Sequence, residues 1–342
     1  TGAFNLNVGS DILNETFYAH LDHEFSKNLN SKLIVFNNYF DYSLNASLSK
    51  NTLNMGSSIR DYGFKNSWNS KNWKWGFEFI NRNISPSSWL TEGDLGNFTG
   101  TGSKRDMLMN EAAIYAEYDW NISDRHHIET GLRVSGANSG SSTFINPEPR
   151  IRYRFSINEL SNLHFSAGRS VQYLHLLSSS ALLLPTDIWY PFTNGVKPST
   201  NDALSLGFER SFLKNKFHLN IETYYNEFRN LAELKEGANL LFNENFEKEL
   251  LSGKGLAYGA EFMLKYSGRR FNAWLSYTYS HSKRQFDGLN EGNWFYDRFD
   301  RRHDISFNGT YLINSRIKVN STLIYSTGSR VTTPISYFFQ PN

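Results

Sequence analysis

Residues 297–304 hold a dense group of charged side chains, with three aspartates and three arginines within eight positions. Arg298, Arg301 and Arg302 could attract an anionic substrate. They could instead pair with the neighbouring aspartates and brace the wall that carries them. The equal numbers of acids and bases favour this structural role, because an anion-binding site should leave net positive charge. We therefore predict a structural charged lip formed by Asp297, Asp300, Arg301, Arg302 and Asp304.

Two groups of aromatic residues are candidates for contact with a bound molecule. One group lies at residues 189–192, and the other lies at residues 294–296, directly before the charged run. Exposed aromatic rings stack on sugars or flat chelates, although they also form interfacial girdles and pack loops together. The predicted substrate-binding residues are Trp189, Tyr190, Phe192, Trp294, Tyr296 and Arg298.

Other reactive residues form no recognisable site. His126 and His127 are adjacent, and adjacent residues of a strand point to opposite faces, so the pair cannot chelate one metal ion. The glycines at 253, 255 and 259 resemble a phosphate loop, but they lead into a strand instead of a helix. No serine, histidine and aspartate have the spacing of a nucleophile elbow or a triad. We therefore predict no catalytic residues, no metal ion and no cofactor.

The elements that carry these residues are strands with one apolar and one polar face. Between residues 271 and 326, apolar and polar residues alternate in three strands, separated by a long polar loop and a three-residue turn. The same alternation recurs along the whole chain and predicts about fourteen strands, one for roughly every 24 residues. In the strand near residue 220, it places Ile221 on the apolar face and Asn220 on the polar face.

The connections alternate between short turns and long loops. Long loops are predicted at residues 44–55, 85–106 and 173–201, and short turns near Asn121, Asn158 and Ser315. Strands of about ten residues joined in this way are typical of an outer-membrane β-barrel, with short turns in the periplasm and long loops outside. A closed barrel leaves no unpaired backbone groups facing lipid. A soluble sandwich or propeller is the alternative, but neither has a reason to sort its loops by length.

Composition is compatible with this architecture. The 342-residue chain has a net charge of +2 and no cysteine, which excludes disulfide frameworks and gives no sign of nucleic-acid binding. Mean hydropathy is only −0.52, but a barrel needs apolar residues at only every second strand position. Aromatic residues make up 16% of the chain, as expected where they form girdles at the membrane interfaces.

Several short motifs resemble those of TonB-dependent outer-membrane receptors, and they occur in the order found in that family. The strongest is Tyr296-Asp297-Arg298 with Arg301-Arg302-His303-Asp304, followed by Tyr325-Ser326-Thr327-Gly328 and Thr333-Pro334. Upstream matches are Ile128–Arg133, Pro149-Arg150, Gln172-Tyr173-Leu174, Leu184–Trp189, Lys197-Pro198, Glu222–Tyr225, Gly253–Glu261 and Ser276-Tyr277-Thr278.

The resemblance implies a β-barrel in the outer membrane of a Gram-negative bacterium that takes up a scarce solute with energy delivered by TonB. Such barrels have 22 strands and a plugged lumen, so we expect residues 1–342 to be an internal part of a longer barrel, without its plug domain, its TonB-binding region or its terminal strands. The implied partners are outer-membrane lipid, TonB and a small solute, which could be a siderophore, a corrinoid, an oligosaccharide or a peptide. A surface lipoprotein is a further candidate partner.

Other functions stay open at this point. A passive porin-like channel would have an open lumen, and a non-transporting surface barrel or adhesin would move no solute. An outer-membrane hydrolase is the enzymatic alternative, although the family implied by the motifs does not catalyse reactions.

Overall fold

The structure is a computed structural model that describes residues 6–94, 102–104, 106–178, 187–236, 238 and 246–330. These residues form eighteen strands and two short 3-10 helices, Phe246–Glu249 and Asn290–Gly292. The strands are β1 (Leu6–Ser26), β2 (Leu29–Leu48), β3 (Asn51–Ser70), β4 (Trp73–Glu92), β5 (Gly102–Lys104), β6 (Met107–Ser123), β7 (His126–Ser139), β8 (Ser142–Asn158), β9 (Ser161–Gln172), β10 (Leu174–Ser178), β11 (Asp187–Pro191), β12 (Ser199–Phe212), β13 (Phe217–Leu234), β14 (Leu250–Ser267), β15 (Phe271–Phe286), β16 (Phe295–Tyr296), β17 (His303–Leu312) and β18 (Lys318–Ser326).

Fourteen of these strands pair in chain order, each antiparallel to the next, and form one continuous sheet. The short strands β5 and β16 add to β4 and β15, and β10 pairs with β11 as a separate hairpin. This up-and-down order confirms the predicted architecture and the predicted number of strands. No helix in the described ranges is long and apolar enough to cross a membrane.

The predicted long loop at residues 44–55 is wrong, because these residues continue the two strands on either side of it. Leu44 pairs with Met55 and Leu48 pairs with Asn51, so that only two residues are left for the turn. Ser49 adopts a left-handed conformation with φ of 58°, which a two-residue hairpin turn requires. The turn residues Ser49 and Lys50 are not the usual Asn-Gly or Asp-Gly pair, so the sequence carries no local signal for this turn.

Two other predicted loops are shorter than expected. The connection at residues 85–106 begins only after β4 ends at Glu92, while the connection at residues 173–201 contains the hairpin formed by β10 and β11. Principal strands reach 21 residues, about twice the length that a bilayer needs. The wall therefore projects well beyond the membrane at the end that carries the long connections.

The two faces of the sheet have the opposite character to those of a soluble protein. Large apolar side chains are exposed on one face, among them Ile114, Leu206 and Leu323 at 65%, 55% and 62%. The other face carries charged side chains that are largely covered, such as Arg82 and Glu148, with side-chain exposures of 14% and 9%. This arrangement suits a wall whose apolar face contacts lipid and whose polar face lines a lumen.

Aromatic residues mark both edges of the apolar band. At the short-turn end, Phe217 packs between Phe212 and Tyr266 with ring centroids 5.2 and 4.8 Å away. At the other end, Tyr225 pairs with Tyr258. Tyr258 and Tyr266 are eight residues apart on β14, which corresponds to about 27 Å along the strand and about 21 Å in height at a typical tilt. This height is close to the apolar band of outer-membrane barrels, about 25 Å.

The sheet curves around the hairpin formed by β10 and β11. Strand β10 contacts β13 and strand β11 contacts β4, although β4 and β13 are six strand-to-strand steps apart in the sheet. That separation is about 29 Å along the sheet. One two-stranded hairpin can touch both strands only if the wall bends toward it, so the hairpin lies on the concave, luminal side.

Candidate functional site

A ladder of ion pairs crosses the luminal wall beside the hairpin. Arg82 of β4 donates from Nε to Asp61 of β3 at 2.9 Å, and its Nη1 lies 3.5 Å from Glu111 of β6. All three side chains are about 15% exposed. Because Asp61 and Arg82 are direct cross-strand partners, strand register brings them together.

A second cluster lies on the same face, nearer the short-turn end, and is centred on Arg133 of β7. Its guanidinium bonds to Glu78 of β4 and lies 3.3 Å from Glu148 of β8. Glu148 also accepts hydrogen bonds from the Ser135 hydroxyl at 2.5 Å and from the Val171 amide at 3.3 Å. These contacts tie β4, β7, β8 and β9 together on the luminal side.

After β9 the chain leaves the wall, and the described residues 173–178 and 187–198, called the segment below, fold into the lumen before β12 begins. Tyr173 anchors its start, since its hydroxyl lies 3.0 Å from Ser135 Oγ and accepts a hydrogen bond from Asn146 Nδ2 at 3.0 Å. Desolvation by burial raises the pKa of Tyr173, so this phenol is neutral at physiological pH.

Two apolar clusters hold the segment against the wall. The first contains Tyr173 and Phe192 from the segment, packed on inward-facing wall residues that share the face of Arg82 and Arg133. These wall residues are Ile84, Met109 and Ala137. The second cluster contains Leu177, Tyr190 and Val196 from the segment with Ala232 and Leu234 of β13. Burying a large apolar side chain stabilises by about 1.5–3 kcal/mol, so the clusters fix the segment firmly.

His175 is a buried titratable group within this segment. It is 5% exposed, and its Nε2 lies 3.0 Å from the carbonyl oxygen of Lys197. Desolvation by burial lowers the pKa of His175 to about 4, against a smaller opposing effect of that hydrogen bond. The imidazole is therefore neutral near pH 7, with Nε2–H donating to the carbonyl.

A cavity of about 420 Å³ opens between the hairpin and the wall of β1 to β6. Trp189 of β11 lies on one side of it, and the ion pairs of Arg82 line the other. Its remaining lining is mixed, with aromatic and amide side chains: Asn14, Asn38, Tyr39, Phe40, Gln172 and Tyr173. The volume falls in the range of small-molecule sites, roughly 300–1,000 Å³.

The predicted aromatic contacts occupy two different places. Trp189 is half-buried and lines the cavity, whereas Tyr190 and Phe192 are 1% and 0% exposed within the two apolar clusters. Trp294 and Tyr296 lie at the rim with exposures of 42% and 40%. Arg298 is also exposed at the rim, over the ring of Phe299 at 4.5 Å. The structure therefore does not bring the six predicted residues into one site.

The charged lip contains two buried carboxylates held by arginines. Asp300 is 2% exposed, accepts the Ser282 amide at 2.8 Å and lies 3.2 Å from Arg302 Nη2. Asp297 is 8% exposed and accepts from Arg284 Nε at 2.5 Å. Both carboxylates are buried, and the side chains of Arg284 and Arg302 are themselves only 23% and 18% exposed.

Two members of the predicted lip take different positions. Arg301 is exposed and has no ion pair with the described residues, although its carbonyl oxygen accepts from Ser280 Oγ at 2.7 Å. Asp304 accepts from the hydroxyl of Ser326 on the neighbouring strand β18. The bracing role stays a prediction, and the structure supports it least at Arg301, which is exposed and has no ion pair with the described residues.

The sequence did not indicate the cluster around His127, near the short-turn end. His127 Nε2 lies 3.6 Å from Asp119 and 3.4 Å from Glu129, and its Nδ1 lies 2.8 Å from the amide oxygen of Asn121. His126 points to the opposite face and contacts the Tyr153 hydroxyl at 2.7 Å. The partners of His127 come from two paired strands, so adjacent-residue spacing alone could not reveal them.

Comparison with known proteins gives one family and a consistent set of folds. The family model described as "TonB dependent receptor-like, beta-barrel" matches residues 2–337. No curated protein sequence matches the chain.

Solved structures with a similar fold include three outer-membrane receptors. The ferric yersiniabactin uptake receptor FyuA from Yersinia pestis has a TM-score of 0.66 at 13% identity, and the alignment covers 93% of this chain and 50% of that one. The ferripyoverdine receptor of Pseudomonas aeruginosa has a TM-score of 0.62 at 12% identity, and the alignment covers 93% of this chain and 49% of that one. The siderophore receptor PiuA from Acinetobacter baumannii has a TM-score of 0.60 at 11% identity, and the alignment covers 93% of this chain and 55% of that one. The chain thus spans about half the length of these receptors.

Proposed function

The chain belongs to the TonB-dependent receptor-like β-barrel family and lies in the outer membrane of a Gram-negative bacterium, and on this premise we propose that it forms part of the wall of a receptor for active solute uptake. The inward fold of the described residues 173–178 and 187–198 is the observation that carries this proposal. Such a segment narrows the lumen and supplies the kind of surface with which a receptor recognises its solute, and the family match favours a receptor over a passive pore.

The proposed solute-binding site is the cavity between Trp189 and the Asp61–Arg82–Glu111 ladder. The indole offers a flat surface for stacking, and the ion pairs offer fixed donors and acceptors at the opposite wall. Few polar groups held at fixed positions beside an aromatic surface are typical of small-molecule sites. Glu111 and Gln172 place the cavity near the ends of β6 and β9 that carry long connections, and this end would face the outside of the cell.

The chemistry of the cavity favours a polar, neutral solute over a simple anion. Arg82 is balanced by two carboxylates, Asp61 and Glu111, so the ladder has no surplus positive charge. Hydroxyl and amide groups would find partners in the side chains of Asn14, Asn38 and Gln172. Oligosaccharides and peptides fit this description. Two further classes are to be tested, iron chelates and corrinoids. Iron chelates are the solutes named for FyuA and the ferripyoverdine receptor.

TonB is the proposed energy source, and it would contact a region of the receptor outside residues 1–342. The half-length match to solved receptors supports this arrangement, in which the chain supplies part of a larger barrel. A surface lipoprotein that covers the outer opening is a further proposed partner. We propose no catalytic role for the chain.

Binding to the full-length receptor in detergent tests the site. A panel of oligosaccharides, peptides, iron chelates and corrinoids is screened by thermal shift, and the best binder is measured by calorimetry. Trp189→Ala should weaken that binding by about fivefold or more, because truncating an aromatic contact of this kind costs more than about 1 kcal/mol. Trp120→Ala removes the same residue type from the short-turn end and should leave the affinity unchanged. Equal affinities for both variants would contradict the assigned site.

A further inference from the structure

Tyr296 stands on the outer surface of the wall, directly above the aromatic edge of the apolar band. It pairs with Lys283 of β15, and Lys283 is on the same face as Tyr277, which pairs with Phe262 in the lipid-facing row. His281, two residues before Lys283 on β15 and on the same face, pairs with Tyr258. Two residues correspond to about 7 Å along a strand, so Lys283 and Tyr296 lie at the height of lipid head groups.

Three cations surround the Tyr296 ring. The guanidinium carbons of Arg302 and Arg330 each lie 4.9 Å from the ring centroid, and the ammonium of Lys283 lies 5.2 Å from it. Cations within about 6 Å of an aromatic face are held by the ring quadrupole. Tyr296 thus gathers three positive charges at one exposed position.

A buried carboxylate fixes two of these cations without cancelling the charge at the surface. The Asp300 side chain is 1% exposed, 3.2 Å from Arg302 Nη2 and 3.6 Å from Arg330 Nε. Three cations and one buried anion leave a net charge of +2. Because the anion is covered while Arg330 is 53% exposed, the surface presented to the surroundings is positive.

Other titratable groups near this cluster do not neutralise it. His281 lies beneath, bonded to Arg302 and stacked on Tyr258 with ring centroids 4.8 Å apart. Glu227 occupies the same cross-strand row as Lys283, two strands away, and is paired with Arg229 at 3.1 Å. Asp297 is bonded to Arg284. The cluster is therefore complementary to a dianionic group.

We propose that Lys283, Arg302 and Arg330, gathered around Tyr296, bind the phosphorylated head group of a lipid in the outer leaflet of the membrane. Guanidinium groups match phosphate geometry with paired hydrogen bonds. The position on the outer face, just above the tyrosine edge, gives access to membrane lipid and directs the cluster away from the luminal cavity. This inference shares with the proposed function only the orientation of the long-connection end toward the outside.

The test is lipid binding to the full-length receptor, measured by native mass spectrometry in detergent. The probes are lipid A with two phosphates, its dephosphorylated form, and inorganic phosphate. The wild-type receptor should retain bisphosphorylated lipid A in preference to the dephosphorylated form. Replacing both Lys283→Gln and Arg330→Gln should lower its affinity about thirtyfold, since each basic group near an anionic surface contributes about a factor of five.

The matched control removes two positive charges from the opposite end of the barrel, at Lys214→Gln and Lys216→Gln in the exposed turn before β13. This variant should bind the lipid like the wild type. Lys283→Arg keeps the positive charge and should retain binding. Equal binding of dephosphorylated lipid A, equal loss in the control, or displacement by millimolar inorganic phosphate would overturn the proposal. None of these measurements requires TonB or a transported solute, so failure of uptake does not affect the result.

Discussion

A lysine at position 221 should destabilise the barrel far more than a lysine at position 220. Ile221 pairs with Phe208 and Phe262 on the apolar face and lies midway between the aromatic edges at Phe217 and Tyr225. Each edge is about 14 Å away along the strand and about 10 Å away in height. This is the midplane of the band, where a lysine facing lipid costs about 2–4 kcal/mol.

Asn220 points the other way and pairs with Glu209 and Met263. A lysine there would extend into the lumen beside the Glu209 carboxylate, so its cost should be close to zero. We expect Tyr225→Lys, at the edge of the band, to cost about 0–1 kcal/mol. These three substitutions therefore form a depth series on one strand.

The assay is urea unfolding of the full-length receptor in lipid vesicles, followed by tryptophan fluorescence. The free energy of unfolding should fall steeply for Ile221→Lys, slightly for Tyr225→Lys and not measurably for Asn220→Lys. If Asn220→Lys costs as much as Ile221→Lys, the assignment of the two faces is refuted.

Three further predictions address the hairpin, the orientation and the charged lip. Burial lowers the pKa of His175 to about 4, so His175 binds a proton more strongly in the unfolded segment than in the folded one. The hairpin should therefore lose up to about 3 kcal/mol of stability as pH falls from 6.5 to 4. Proteolysis of the segment at different pH values should show this loss, and His175→Phe should abolish it. On intact cells, an impermeant thiol reagent should label Glu236→Cys but not Ser315→Cys, and the reverse pattern would invert the topology. Arg302→Ala should reduce the recovered folded barrel, since it leaves the buried Asp300 carboxylate with only Arg330, at 3.6 Å, as an ion-pair partner among the described residues; losing one partner of a buried pair costs at most about 3–5 kcal/mol. Arg301→Ala, at an exposed site, should change stability by less than about 0.5 kcal/mol, and equal losses would remove the distinction between the two arginines.

The strands could be predicted from the sequence because the alternation of residues is local and has a fixed period of two. It gave the fourteen-stranded order and the opposite facing of Ile221 and Asn220, both of which agree with the register. Cross-strand ion pairs such as Asp61–Arg82 depend on register between separate strands, which the local pattern leaves open.

The hairpin could not be predicted because residues 173–198 have no simple alternation. The motif residues Leu184 to Thr186, Thr333 and Pro334 lie outside the described residues. One signal was present, however. Ile84, Met109 and Ala137 are apolar residues at inward-facing positions, where the surrounding pattern is charged, and they form the surface on which the segment packs. Apolar residues on the polar face of a barrel strand indicate a segment folded into the lumen.

Solute uptake by the full-length receptor, in cells with and without TonB, tests the central claim most directly. The solute is the best binder from the calorimetric screen, and single-channel conductance in planar bilayers is measured in parallel. If transport is driven by TonB through a barrel whose lumen is plugged, uptake should stop when TonB is deleted or the proton-motive force is collapsed, and the bilayer current should be negligible. Uptake that continues without TonB, together with a steady open-channel current, would show that the barrel is a passive pore.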